Sequence, residues 1–253
     1  VEVSAPGIVV AVTPFGENDA VVSVFTEAEG IYRGLAKGGQ SRAKASLWQT
    51  GNLVQARWIA RLEDQLGAFS AELIHAGAAL AMDDPWALGI LSSVCAVTEQ
   101  ALPERTAHPA IFRGLLHLIA HGSAGADLLG DMVRWEAGLL QELGYGLDLS
   151  ACAVTGARTG LAFVSPRTGR AVSVEGAGLW KEKLLTLPTF LLDDAPGDMA
   201  QWHDGLRLTG HFLARDAFGL RHRPVPQARV RLEEKVRKAG DDEAIPPRPP
   251  SIF

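Results

Sequence analysis

Two periodicities divide the chain. From Pro6 to about His75 short apolar runs, many of them β-branched, are separated by turn residues, and after Ala76 the apolar positions recur at helical spacing. Five segments of the first part read as strands: Gly7 to Thr13, Ala20 to Thr26, Ile31 to Lys37, Asn52 to Arg61 and Ala68 to His75. So many strands in so short a stretch predict a closed barrel, because closure leaves no sheet edge open, and the OB-fold is the common five-stranded solution. In the fourth segment strict alternation puts Val54, Ala56, Trp58 and Ala60 on one face and Gln55, Arg57 and Arg61 on the other, so Trp58 reads as core. The third segment fits less well. Parity places Arg33 and Lys37 with Ile31 and Leu35, which calls for a bulge near Gly34 or a different register.

Beyond Ala76, Asp84 followed by Pro85 is an N-cap and first-turn pair that opens a helix to about Ala101. Pro109 opens a second, to about His121. A third spans roughly Asp127 to Leu143, with Met132, Trp135, Leu139 and Leu143 on one stripe and Gly144 where a helix-ending glycine belongs. Ser150 to Val174 reads as an irregular loop plus a β-hairpin turning at Ser165-Pro-Arg-Thr-Gly169. Helices resume at about Leu179, from Asp198 to Phe218 and from Pro226 to Lys238. The expected class is α+β: an OB-fold over residues 1–76, a helical domain over 77–238 with a hairpin insertion at about 150–176, and a mobile proline-rich tail over 239–253.

Charge changes the picture. The chain of 253 residues is acidic, at a net −5, yet Gly30 to Leu62 carries Arg33, Lys37, Arg42, Lys44, Arg57 and Arg61 with no Asp or Glu among them. Such segregation is the footprint of a surface for polyanions, and the interleaved Tyr32, Trp48 and Trp58 suit a single-stranded nucleic-acid platform. The overall acidity argues against a protein that coats duplex DNA everywhere, so any nucleic-acid contact is local. A second basic concentration runs from Gly205 to Lys238. There Glu233 and Glu234 offset part of the charge at i,i+4 spacing, leaving Arg221 and Arg223 as the better auxiliary phosphate contacts.

Catalytic chemistry is not legible. His117 and His121 have a metal-ligand spacing but no third ligand, and the sequence holds no phosphate-cradling loop, nucleophile elbow or carboxylate cluster. Cys95 and Cys152 provide no disulfide framework, which suits a reducing cytoplasm, and neither an export signal nor a membrane span is indicated. We expect a binding protein, not an enzyme, with no metal or cofactor.

Several patches occur in a telling order. Phe15-Gly-Glu-Asn-Asp-Ala20 leads into Val24-Phe-Thr-Glu-Ala-Glu-Gly30 and Gly34-Leu-Ala-Lys-Gly-Gly-Gln-Ser-Arg42, and later comes Arg134-Trp-Glu-Ala-Gly-Leu-Leu-Gln-Glu-Leu-Gly-Tyr-Gly146, running on to Cys152. Together they resemble the bacterial RecO family of DNA repair proteins. The resemblance implies an OB-fold, a helical domain and an embedded zinc-ribbon-like hairpin. It also implies binding and annealing of single-stranded DNA, recognition of the acidic C-terminal tail of single-stranded DNA-binding protein, and action with RecR to place RecA on coated strands. Lys37 stands in the family's Ala-Lys-Gly position, Arg42 in the basic stretch that follows, and Arg134 at a helix start near the partner-tail site. One departure is plain. Zinc-binding members use two Cys-x-x-Cys pairs, whereas here Cys152 is followed by Thr155, and the second pair's place near Ser173 and Gly176 has no cysteine. The rival reading is an OB-fold adaptor that binds proteins and no nucleic acid. The tail, with Asp241-Asp-Glu243, an Ile-Pro step and a terminal Phe253, carries the same ingredients as the partner tail and would suit an internal competitor.

Overall fold

A closed barrel forms from β1 (Glu2–Phe15), β2 (Asp19–Thr26), β3 (Gly30–Ala36), β4 (Leu53–Ile59) and β5 (Gly67–His75), in the order β1-β2-β3-β5-β4. This computed structural model describes residues 1–62, 65–193 and 195–243. The long first strand serves two neighbours: its first half pairs with β4 and its second half with β2, and an irregularity between Val9 and Ala11 bends it from one to the other. Among the described residues of the barrel, only β3 and β5 pair as parallel strands. The arrangement is that of an OB-fold, as the strand pattern predicts.

The alternation in β4 places Val54, Ala56 and Trp58 inside the barrel, where they meet Val9, Val22, Val24 and Phe69. Trp58 is buried and donates its indole N–H to the carbonyl of Arg33 at 2.9 Å, which satisfies its one polar atom. Room for the ring comes from Gly67, where a Cβ would lie 2.2 Å from Trp58 Cε2. The third strand carries no bulge. Its pairing with β2 runs unbroken from Ala20 opposite Ala36 to Thr26 opposite Gly30. Ile31 and Arg33 do share the outward face, and the apparent conflict resolves because that face is not all solvated. Ile31, with Ile8, Val10 and Phe25, packs into the core of the helical domain, and Phe25 meets Phe112 edge to face at 5.4 Å.

The helical domain comprises α1 (Gly77–Ala81), α2 (Pro85–Ala101), α3 (Pro109–Ala120), α4 (Leu129–Glu142), α5 (Val174–Ala177), α6 (Met199–Phe212) and α7 (Gln227–Glu243), with a three-stranded sheet of β6 (Leu161–Val164), β7 (Ala171–Ser173) and β8 (Leu185–Thr186). Asp84 caps α2 by accepting from the backbone N–H groups of Trp86 and Ala87, and Gly144 sits beyond α4 at φ 86°, both as the sequence predicts. Two readings need correction. The helix expected from Leu179 is a 3-10 turn followed by β8, since Gly178 takes φ 46° and Leu184 is already extended, at φ −95° and ψ 154°. The tail begins later than residue 239, because α7 continues to Glu243. Residues 244–253 lie outside the described residues, and with them most of the proposed internal competitor.

One buried ion pair locks the last helix in place. Arg229 of α7, 1% exposed, donates Nε to Glu136 Oε1 at 2.5 Å and Nη2 to Glu136 Oε2 at 3.0 Å and to the Leu206 carbonyl at 2.7 Å. Glu136 of α4 is fully buried and also accepts the Thr209 hydroxyl of α6 at 2.5 Å. Burial works against the guanidinium charge, but Glu136 and then Glu233 outweigh it and raise the Arg229 pKa above its ordinary value. Arg229 is therefore removed from the second basic concentration.

Candidate nucleic-acid interface

The segment between β3 and β4 holds the exposed cations. It has no long helix. Its turns fold back on the β1–β2 turn through Gly38 N–H to Asp19 Oδ1 at 2.7 Å and Gln40 N–H to the Asn18 carbonyl at 2.8 Å. Trp48 drives into the barrel core as an anchor, and Asn52 fixes the far end by donating to the carbonyls of Ser46 at 2.9 Å and Leu47 at 3.1 Å. Lys37, Arg42 and Lys44 are exposed on this braced connection, and Lys44 Nζ donates to the Lys37 carbonyl at 3.1 Å. Among the described residues, no acid lies within ion-pair distance of these three.

The other three cations stand differently. Arg57 on β4 is held bidentately by Glu2 of β1, at 2.7 and 3.2 Å, and the Arg57 guanidinium keeps the Glu2 carboxyl below the usual range. Arg33 reaches Glu104 at 3.6 Å. Arg61 is exposed and lies past the end of β4, off the β3–β4 connection. A segment free of acids along the chain is not free of acids in space: Arg33 and Arg57 each meet one, while Lys37, Arg42 and Lys44 stand together on the connection.

The aromatic residues of the segment are also reassigned. Trp48 and Trp58 are buried, and Tyr32 packs edge-on against Trp58 at 4.9 Å, so none offers an open face for a base. On the barrel, among the described residues, the exposed aromatic is Phe15, 55% accessible, at the end of β1 beside the turn that holds Gly38 and Gln40. Sequence reasoning missed it. The signal was an apolar residue outside the alternating pattern and directly before a Gly-Glu-Asn-Asp turn.

Arg134 lies in a groove between α3 and α4 of about 340 Å³, with Ile111, Leu118 and Trp135 as its apolar lining. Its guanidinium is braced, with Nε to the Phe190 carbonyl at 3.3 Å, Nη2 to the Ala195 carbonyl at 3.4 Å and Nη1 to Asp131 at 3.1 Å. His117 approaches the same Asp131 at 3.4 Å. His117 and His121 stack with ring centroids 4.2 Å apart, and among the described residues no group of three or more His, Cys, Asp or Glu suits a metal ion. Of the auxiliary pair, Arg221 donates to the Ala101 carbonyl at 2.9 Å and so closes the end of α2, while Arg223 is exposed.

The hairpin brings Cys152, Thr155, Ser173 and Gly176 together, the four places where two Cys-x-x-Cys pairs would stand. These donors do not fit a structural zinc ion, which takes thiolate, imidazole or carboxylate ligands. The Cys152 sulfur instead accepts from the N–H groups of Val154 and Thr155 at 3.4 Å, the Ser173 N–H at 3.2 Å and the Ser173 hydroxyl at 3.3 Å. Burial alone would push the thiol up, but the hydrogen bonds from Ser173 and Thr155 prevail and lower its pKa to about 6. The folded value lies below the unfolded one, so the thiolate contributes stability at pH 9 that fades as pH falls toward 6. We therefore expect Cys152→Ala to lower the melting temperature more at pH 8.5 than at pH 6, and chelator to leave the wild-type value unchanged. An equal loss at both pH values, or about one zinc per chain by metal analysis, would contradict this.

No helix among the described residues is long and apolar enough to cross a membrane. Comparison with known families gives matches to "Recombination protein O N terminal" over residues 1–76 and to "Recombination protein O C terminal" over residues 82–223. A DNA repair protein RecO of Granulibacter bethesdensis is 55% identical over 245 residues, covering 96% of this chain and 98% of that protein. Those of Gluconacetobacter diazotrophicus and Acidiphilium cryptum are each 53% identical, covering 93% and 96% of this chain and 95% and 99% of the respective relatives. A barrel closed in the OB order, a helical domain carrying a small hairpin sheet, and these matches across both parts place the chain in the RecO family of DNA repair proteins.

Proposed function

We propose that this protein is a recombination mediator: it binds and anneals single-stranded DNA and, with RecR, helps place RecA on strands coated by single-stranded DNA-binding protein. The observation that carries the reading is the trio Lys37, Arg42 and Lys44, exposed and acid-free on a connection braced against the barrel, with Phe15 beside its anchoring turn. Cations fixed around an exposed ring are what a strand of stacked bases and spaced phosphates requires. No catalytic role enters this reading. The test is titration of the full chain with a labelled oligo-dT at several salt concentrations. Binding that weakens linearly in log salt supports the mediator, and no binding at low salt supports the adaptor.

The α3–α4 groove suits the acidic tail of single-stranded DNA-binding protein. Its apolar lining takes an aromatic side chain, and Arg134, aimed by the carbonyls of Phe190 and Ala195, takes a carboxylate. Asp131 tempers the site, being a like charge to the ligand and hydrogen-bonded to Arg134. Arg134→Ala is expected to weaken binding of a tail peptide by roughly 1.5–3 kcal/mol, the range for a charge-assisted hydrogen bond. Asp131→Asn is expected to strengthen it, and oligonucleotide binding stays nearly unchanged in both. Equal losses of peptide and oligonucleotide in Arg134→Ala would refute a separate tail site.

A further inference from the structure

A second groove, on the hairpin module, carries chemistry that neither the barrel site nor the α3–α4 groove uses. It has a volume of about 450 Å³, within the ordinary range for a ligand site, and its wall includes Val154, Val172, Trp180, Lys183 and the turn bearing Arg167. Trp180 is 65% exposed, while Trp48, Trp58 and Trp135 are buried. Val154, 68% exposed, lines the same groove, and contiguous exposed apolar surface of this kind marks an interaction site. Lys183 Nζ stands over one face of the Trp180 ring, 4.8 Å from its centroid, and at 65% exposure the indole still presents surface for a base. Glu175 and Glu182 belong to the same stretch, but neither lines the groove, whereas Arg167 and Lys183 do.

The wall is also fixed before any ligand arrives. Arg215 Nη1 donates to the carbonyls of Pro166 and Arg167, the latter at 3.0 Å, and His211 Nε2 approaches the Pro166 carbonyl at 3.0 Å. These contacts pin the Ser165–Gly169 turn to the helical segment behind it and leave the Arg167 side chain outward and exposed. An apolar floor, one open indole and two cations without a lining acid match the requirements of a flat, polyanionic ligand.

We infer that the Trp180 groove is a second contact for single-stranded nucleic acid, with a base stacked on Trp180 and the flanking phosphates met by Lys183 and Arg167. Two separate single-strand contacts on one chain would hold two strands, or two parts of one strand, at once. The inference takes only the ligand class from the mediator reading and does not depend on the barrel trio. Because Trp180 is exposed and packs into no core cluster, its replacement spares the fold, which the melting temperature verifies.

The experiment counts oligonucleotides of dT about 10 nucleotides long, within the site size of one such platform. Two per chain are expected for the wild type and one for either Trp180→Ala or Lys183→Ala, with affinity for that site falling about tenfold or more on loss of the ring. Trp180→Phe keeps the second site but loses the tryptophan quenching that accompanies its filling. A count in Trp180→Ala equal to that of the wild type overturns the inference. A loss in Trp180→Ala of an acidic, Phe-terminated peptide instead of the oligonucleotide overturns it in favour of a protein ligand. Failure of the barrel reading looks different: the wild type would bind one oligonucleotide, Lys37→Ala with Arg42→Ala would leave it in place, and Trp180→Ala would remove it.

Discussion

Glu136→Ala should destabilise the protein by about 3–5 kcal/mol, the cost of leaving one member of a buried ion pair without its partner. The magnitude follows from what remains. Arg229 would keep its charge at 1% exposure, with only Glu233, the Leu206 carbonyl and the Thr209 hydroxyl left to meet it. Arg229→Ala strands the Glu136 carboxylate in the same way, with Thr209 as its remaining hydrogen-bond donor. Glu136→Leu combined with Arg229→Met should recover much of the loss, because a well-packed apolar pair removes both desolvation penalties together. Urea denaturation checks this through a fall in midpoint at constant slope. A loss below about 1 kcal/mol in both single variants would mean that water or a shift of α7 relieves the stranded charge, against the sealed geometry observed.

This pair also marks how far sequence reasoning reaches. Glu136 belongs to the Arg-Trp-Glu stretch that carries the family resemblance, and that stretch offers no means of telling which charge faces a partner and which faces the core. The structure separates them: Arg134 stands at a groove and Glu136 is buried between α4, α6 and α7. What was legible depended on local physics. Alternation in β4 is a local property, so the inward set of Val54, Ala56 and Trp58 could be read directly. The caps at Asp84 and Gly144 are local too. Burial of Ile31 beside exposed Arg33 was not, because it depends on where the helical domain covers the barrel, and parity alone calls for a bulge or a different register where the pairing with β2 is in fact unbroken. Glu2 and Glu104 were invisible as partners for the same reason. Each lies far along the chain from the arginine it meets.

Pairing of Arg33 and Arg57 with acids changes what mutagenesis of the barrel should report. The double variant Lys37→Ala/Arg42→Ala should weaken single-stranded DNA binding for all sequences alike and lower the salt slope by about 1.4, at about 0.7 for each phosphate no longer neutralised. Adding Lys44→Ala should bring the total to about 2. Arg57→Ala should alter the slope little, since Glu2 already occupies its guanidinium in the free protein, and Glu2→Gln should increase affinity by releasing that cation. Phe15→Ala separates stacking from charge: affinity should fall about tenfold with the slope unchanged, because a ring meets bases and displaces no counterion. Oligonucleotide titrations between roughly 50 and 200 mM salt read all of these effects. The decisive comparison is between Arg42→Ala and Arg57→Ala, two exposed arginines from the same acid-free stretch of sequence that differ in whether an acid reaches them. Equal slopes in those two variants would show that DNA can pull Arg57 away from Glu2, and that linear charge, not the paired geometry, sets the binding surface.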